Sequence, residues 1–217
     1  MSYYEEWYEP DPKYYLFEEE ELSMSNSNPT KVITGKVRFS YVNIFNARAY
    51  QQGQDAKYSI CLLIDKKDKT TLSKIKAAIE AAIQEGITSK WGGKRPANLK
   101  LPLRDGDAER AEEAPEYAGC YFLNANSVQK PGVVDKDLNE ILDATEVYSG
   151  CYGRASITFY PFNSNGNKGV AVGLNNVQKL EDGEPLGAAR ASAEEDFADS
   201  RPDLNNSDND IDLDFLG

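Results

Sequence analysis

The sequence predicts a mainly β fold: a small, strongly curved antiparallel barrel of five long strands with one helix. Three observations carry this. Apolar and polar residues alternate in several separate runs, the signature of half-buried strands. One stretch, about 69–84, has a helical period instead. Glycines fall inside the strand runs, where they permit the bending that closes a sheet on itself.

The elements follow in order. Ile33, Gly35, Val37, Phe39 and Tyr41 alternate with Thr34, Lys36, Arg38 and Ser40, so the polar side of the first strand presents Lys36 and Arg38 together. Gly53 and its polar neighbours make a turn. Residues 57–65 form a second strand with Tyr58, Ile60, Leu62 and Ile64 on one face. Asp68 offers an N-cap to the helix, Leu72, Ile75, Ile79 and Ile83 mark its apolar face, and Gly86 is the expected stop. Residues 90–118 have no clean period and are rich in Pro, Gly and charge. A stretch of that length without structure is usually functional or mobile. Strand character returns at Gly119–Ser127, weakly at Gly132–Val134, and strongly at Gly150–Phe162. Asn163 to Asn167 holds an Asn-Gly pair, and Gly169–Lys179 is the returning strand of that hairpin.

Charge is sorted by region. Residues 31–180 hold 21 Lys/Arg against 16 Asp/Glu, a net of +5; residues 1–30 have a net of −7 and residues 181–217 a net of −10. The overall −12 therefore hides a basic body between two acidic ends. A basic body can hold a polyanion, and an acidic tail can compete with that polyanion or recruit other proteins.

Composition excludes several function classes. With no histidine in the chain, Ser-His and Cys-His catalysis and His-ligated zinc are ruled out. Cys61, Cys120 and Cys151 are odd in number and lack Cys-x-x-Cys spacing, against a disulfide framework or a zinc ribbon. They are expected as reduced, mostly buried packing residues in a cytosolic protein. No apolar run is long enough to span a membrane, and the N-terminal residues do not read as a secretory signal.

The strand 151–162 is the most telling segment. Alternation places Tyr152, Arg154, Ser156, Thr158, Tyr160 and Phe162 on one side; Cys151, Gly153, Ala155, Ile157 and Phe159 take the other. The second set suits a barrel interior. The first interleaves rings with a guanidinium and hydroxyls, which suits single-stranded nucleic acid: rings stack on bases and Arg holds phosphates. An exposed strand of ordinary β-formers has the same composition; Lys36 and Arg38 favour binding. Lys90, Trp91, Lys94, Arg95, Lys100 and Arg104 place an aromatic ring among cations on a loop. Either Trp91 stacks on a base or it plugs the core beneath the loop. Asp105, Asp107, Glu109, Glu112 and Glu113 read as a solvated loop; the alternative is a metal-dependent nuclease or nuclease cofactor using Asp105 and Asp107. The tip alternates acids with Ile211, Leu213 and Phe215, a docking pattern in a disordered end.

The body also resembles phage-encoded single-stranded DNA-binding proteins with an OB-fold. The resemblance rests on Lys31–Tyr41 (KVITGKVRFSY), Lys90–Lys94 (KWGGK), Leu99–Asp107 (LKLPLRDGD), Gly150–Ala155 (GCYGRA) and Gly173–Gln178 (GLNNVQ). It implies an OB-type barrel with long loops that coats single strands in DNA replication, recombination or repair, without catalysis or cofactor. Residues 1–23 lie outside the pattern, and Leu216 and Gly217 follow Phe215 where tails of such proteins end in Phe. The predicted helix precedes the third long strand, not the fourth as in the usual OB order.

The expected organisation is an acidic aromatic extension and linker over 1–29, a single-stranded DNA-binding domain over 30–180, and a disordered acidic tail over 181–217. The expected DNA contacts are Lys36, Arg38, Trp91, Lys94, Arg95, Tyr152, Arg154 and Tyr160. Ile211, Leu213 and Phe215 are the expected docking residues for replication or recombination proteins.

Overall fold

The computed structural model describes residues 28–49, 53 and 55–187. The chain divides after Pro185, and the regular elements of the described residues lie in the first unit. The strands are β1 (Lys31–Ile33), β2 (Val37–Arg48), β3 (Lys57–Asp65), β4 (Arg104–Asp105), β5 (Cys120–Ser127), β6 (Gly132–Val134), β7 (Tyr152–Ser164) and β8 (Asn167–Glu181). Helix α1 spans Lys69–Ser89, and the one-turn helix α2 spans Gly106–Glu109.

The five long strands close into a ring of pairings: β7 with β2, β2 with β3, β3 with β5, β5 with β8, and β8 back with β7. The expected antiparallel arrangement holds at every joint but one. β5 and β8 run parallel, meeting at Asn126 and Gly173. Five strands cannot alternate direction around a closed ring, so one joint has to be parallel. The short β6 also joins β8 in parallel.

The first predicted strand forms as β1 and β2, but it is not continuous. Along β7, Ile33 faces Ser156 and Val37 faces Gly153, so four steps on one chain match three on the other. This one-residue bulge at 34–36 shifts the side-chain phase. Val32 and Thr34 point inward before it, Val37 and Phe39 after it, and Ile33 is left 51% exposed. Thr34 holds the bulge by exchanging bonds with Ala155, while the Gly35 N–H donates to the Thr71 hydroxyl at 2.9 Å. A second slip lies between Ser40 and Asn43, which pair with Cys61 and Ser59. Within it Tyr41 takes a left-handed backbone (φ 46°) and turns outward, 59% exposed. Local alternation predicted neither bulge.

β3 and α1 start as predicted. Ile60, Leu62 and Ile64 face the interior, and the Asp68 carboxylate accepts from the Thr71 N–H at 2.9 Å as the N-cap. The helix passes through Gly86, the expected stop, and ends at Ser89. A Cβ on Gly86 would lie 2.6 Å from the Trp91 ring and 2.8 Å from Pro161. Gly86 therefore opens the space that Trp91 fills. Leu72, Ile75, Ile79 and Ile83 join Phe39, Ile60, Leu123, Ile157 and Phe159 in one core. Each such burial contributes about 1.5–3 kcal/mol. Asn165 and Gly166, both at positive φ, form the two-residue β7–β8 turn predicted from the Asn-Gly pair.

Candidate nucleic-acid interface

β7 has the predicted two-sided character. Cys151, Gly153, Ala155, Ile157 and Phe159 are buried, while Tyr152, Arg154, Ser156, Thr158, Tyr160 and Phe162 are at least partly open. Tyr160 is 45% exposed. Arg154 is also exposed; its Nε donates to the Thr34 carbonyl at 3.2 Å, and its terminal nitrogens have no partner among the described residues. The Asn175 amide donates to the Thr158 hydroxyl at 2.9 Å and the Ser156 hydroxyl at 3.4 Å, which fixes the middle of this face.

Lys36, Arg38 and Tyr152 do come together, but on their own chain. The Lys36 ammonium lies 5.6 Å and the Arg38 guanidinium 5.7 Å from the Tyr152 ring centroid. Arg38 donates to the carbonyls of Gly150 and Glu184, and Lys36 pairs with Glu181 at 3.1 Å. Gly183 packs so closely that a Cβ there would sit 2.8 Å from the Tyr152 ring. Tyr148 completes the clasp, accepting from the Gly183 N–H and donating to its carbonyl. In the described structure these three side chains, all expected as DNA contacts, also hold residues 181–184.

Trp91, expected as a DNA contact, is buried instead. It is 5% exposed, and its indole N–H donates to the Phe162 carbonyl at 3.0 Å. It plugs the core and offers no stacking face. Arg95 is turned back onto Glu80 at 3.3 Å, a surface ion pair of small energy. Lys94 is exposed and unpaired among the described residues. Beyond it, Pro96–Lys100 and Gly166–Lys168 enclose a polar groove of about 650 Å³ that carries Lys100 and Lys168.

Asp105 and Asp107 do not form a metal site. Both carboxylates accept from the Lys66 ammonium, at 2.5 and 2.7 Å, and Asp107 also accepts from the Gly119 N–H. Lys66 is the main reason both are held below the usual aspartate range. Among the described residues no set of three carboxylates or thiols converges elsewhere. The nuclease alternative therefore loses its ligands. Ile211, Leu213 and Phe215 lie outside the described residues.

A pocket of about 430 Å³ on the outer face of β3 and β5 went unpredicted. Phe122, Cys61 and Tyr117 form its floor, and Tyr41, Arg110, Asn124 and Asn126 stand around it. The floor satisfies itself: Cys61 Sγ lies 3.5 Å from the Tyr117 hydroxyl, which reaches Ser40 at 3.4 Å. Burial pushes the Cys61 thiol up to about 11, so it is a neutral wall. The one sequence signal was Asn124-x-Asn126, two amides two apart in a strand, where Asn is disfavoured.

Strand pairing joins this pocket to the β7 face. Ser59 pairs with Asn126, Asn126 with Gly173, Gly173 with Thr158, and Thr158 with Lys31. Strands lie about 4.8 Å apart, so from Ser59 to Thr158 is roughly 14 Å across the surface. Gly173 brings no side chain to this rung, and the Tyr160 ring lies beside it.

Comparison with known proteins agrees with this geometry. The model of the family described as Enterobacter phage Enc34, ssDNA-binding protein, matches residues 30–211. Protein p50 of Acyrthosiphon pisum secondary endosymbiont phage 1 is 32% identical over 180 residues, covering 78% of this chain and 93% of that protein. The solved single-stranded DNA-binding protein from bacteriophage Enc34 in complex with ssDNA aligns with a TM-score of 0.65 at 27% identity, over 73% of this chain and 90% of that one. For gp2.5, a single-stranded DNA-binding protein encoded by bacteriophage T7, the TM-score is 0.53 at 15% identity, over 82% of this chain and 98% of that one. That last likeness is one of fold. With a family match across residues 30–211, most of its length, the chain belongs to the family of the Enterobacter phage Enc34 ssDNA-binding protein.

Proposed function

We propose that the protein binds and coats single-stranded DNA during phage DNA replication, recombination or repair in the host cytoplasm, without catalysis. The observation that carries this is the family match over residues 30–211, with a relative solved in complex with ssDNA. The surface supports it: Tyr160 is open for stacking, Arg154 and Lys31 supply charge, and the rung through Thr158 and Gly173 leads to the β3–β5 pocket. Lys94, Lys100 and Lys168 extend the positive charge along the loop groove.

Stacking needs exposed base faces, so single strands bind far better than duplex. Neutralised phosphates release counterions, so log affinity falls with log salt at about −0.7 per phosphate contact. Titrating labelled single-stranded DNA, duplex DNA and RNA at two salt concentrations tests this. A flat salt response or a preference for duplex overturns it.

The acidic end has a second role in this reading. Residues 191–217 carry nine acids and one Arg, a net of −8. Tethered to a basic body, they compete with DNA at high effective concentration, and Ile211, Leu213 and Phe215 dock replication or recombination proteins. Deleting 191–217 tightens single-strand binding, most clearly at low salt. Equal affinity of truncated and full chains at low salt removes the competitor role.

A further inference from the structure

The pocket between Tyr41 and Asn126 is built for something neutral and flat. Its floor is apolar and closed on itself through Cys61, Tyr117 and Phe122. Its polar groups are mostly uncharged: the side-chain amides of Asn124 and Asn126 have no hydrogen-bond partner among the described residues. They sit two apart on β5, pointing to the same side, about 7 Å from each other. Each amide offers a donor and an acceptor, and can turn over to exchange them. A phosphate, which only accepts, leaves half of that capacity unused. The edge of a nucleobase carries donors and acceptors together and uses both.

Two further features point the same way. Tyr41 holds a left-handed backbone that a bulky residue seldom adopts, and the bulge around it turns the ring outward at the pocket mouth. Strain of this kind collects at ligand sites, and bulges re-aim side chains beside them. Arg110, half-exposed and without an ion pair among the described residues, is the pocket's single cation.

We infer that this pocket takes one base out of the bound strand: Tyr41 stacks on it, Asn124 and Asn126 hydrogen-bond its edge, and Arg110 holds the adjoining phosphate. Because both amides can reverse, the pocket requires a base without selecting which one. It adds affinity through neutral contacts, so that part of the binding does not respond to salt. The inference rests on the single-strand reading above and adds a specific seat to it.

The test is a double cycle with the full-length protein. One probe is a short oligo-dT; the other is a sugar–phosphate chain of the same length carrying no bases. Asn124→Ala/Asn126→Ala is expected to weaken oligo-dT binding about tenfold, the net effect of one or two hydrogen bonds. It is expected to leave the salt slope and the baseless probe unchanged. Arg110→Gln is expected to make the slope shallower by about 0.7 on both probes. Thermal melting confirms folding; both amides are surface groups with no partner to lose, so the melting temperature stays near that of the parent. Equal loss on the two probes means the amides hold the backbone, and no loss on oligo-dT means the pocket is empty in the complex; either result overturns the inference. If the unaltered protein binds neither probe, the single-strand reading itself fails, a distinguishable outcome.

Discussion

Replacing Trp91 by Ala separates two roles that the sequence allowed for this residue. The ring is 5% exposed, sits in the space left by Gly86, and donates to the Phe162 carbonyl at 3.0 Å. Truncation removes a large buried ring and leaves a cavity that the helix and β7 cannot both relax into. Phe/Trp→Ala changes of this kind cost about 3–5 kcal/mol. For a domain of this size each kcal/mol lowers Tm by about 2–4 °C, giving an expected fall of about 6–20 °C. Against a typical total stability of about 5–15 kcal/mol the variant remains folded in the cold but has little margin. Circular dichroism melting measures the fall, and a DNA titration at low temperature, where the variant is folded, measures affinity. Affinity is expected to stay within a few-fold of the parent. Unchanged melting together with lost affinity refutes the placement and restores the stacking role. Gly86→Ala, which crowds the same space from the other side, is expected to destabilise as well.

Other expectations follow from the same structure. Tyr160→Ala is expected to weaken single-strand binding by roughly 1–3 kcal/mol with little change in melting, because the ring is open and the proposed function has it stack on a base; equal affinity for variant and parent moves the binding face elsewhere. Arg154→Ala makes the salt slope shallower by about 0.7, read from titrations at several salt concentrations. Asp105 and Asp107 titrate below the usual 3.8 in the folded state, chiefly because of Lys66, so their contribution is complete above that value and fades as pH falls below it. Lys66→Ala flattens this acid limb in melts from neutral pH to about pH 2.5, and parallel curves for the two proteins rule the triad out. Burial raises all three cysteine thiols, but only Cys120 is partly exposed, so a thiol reagent at pH 8 labels Cys120 first in the folded protein and all three thiols after denaturation.

The sequence by itself determined the elements whose signal is local. The switch from period 2 to period 3.6 located α1, the Asp68 cap fixed its start, and the Asn-Gly pair fixed the β7–β8 turn. The alternation in β7 sorted eleven residues correctly into inner and outer sets, because the register shifts against β8 fall on β8 and leave β7 continuous. Tertiary structure decided the rest. The bulges at 34–36 and around Tyr41 arise from register against β7 and β3, so periodicity within β1 and β2 could not place Ile33 or Tyr41. Gly86 reads as a helix stop by propensity, yet it is kept inside the helix by a ring that arrives from the following loop. The contacts of Lys36, Arg38 and Tyr152 with the returning segment 181–184 are likewise made across the fold and have no local signal. The parallel joint of β5 and β8 follows from closing an odd number of strands, and it sets Asn126 beside Gly173 and Thr158. No local pattern encodes that adjacency, because it is created by ring closure between segments distant in the chain.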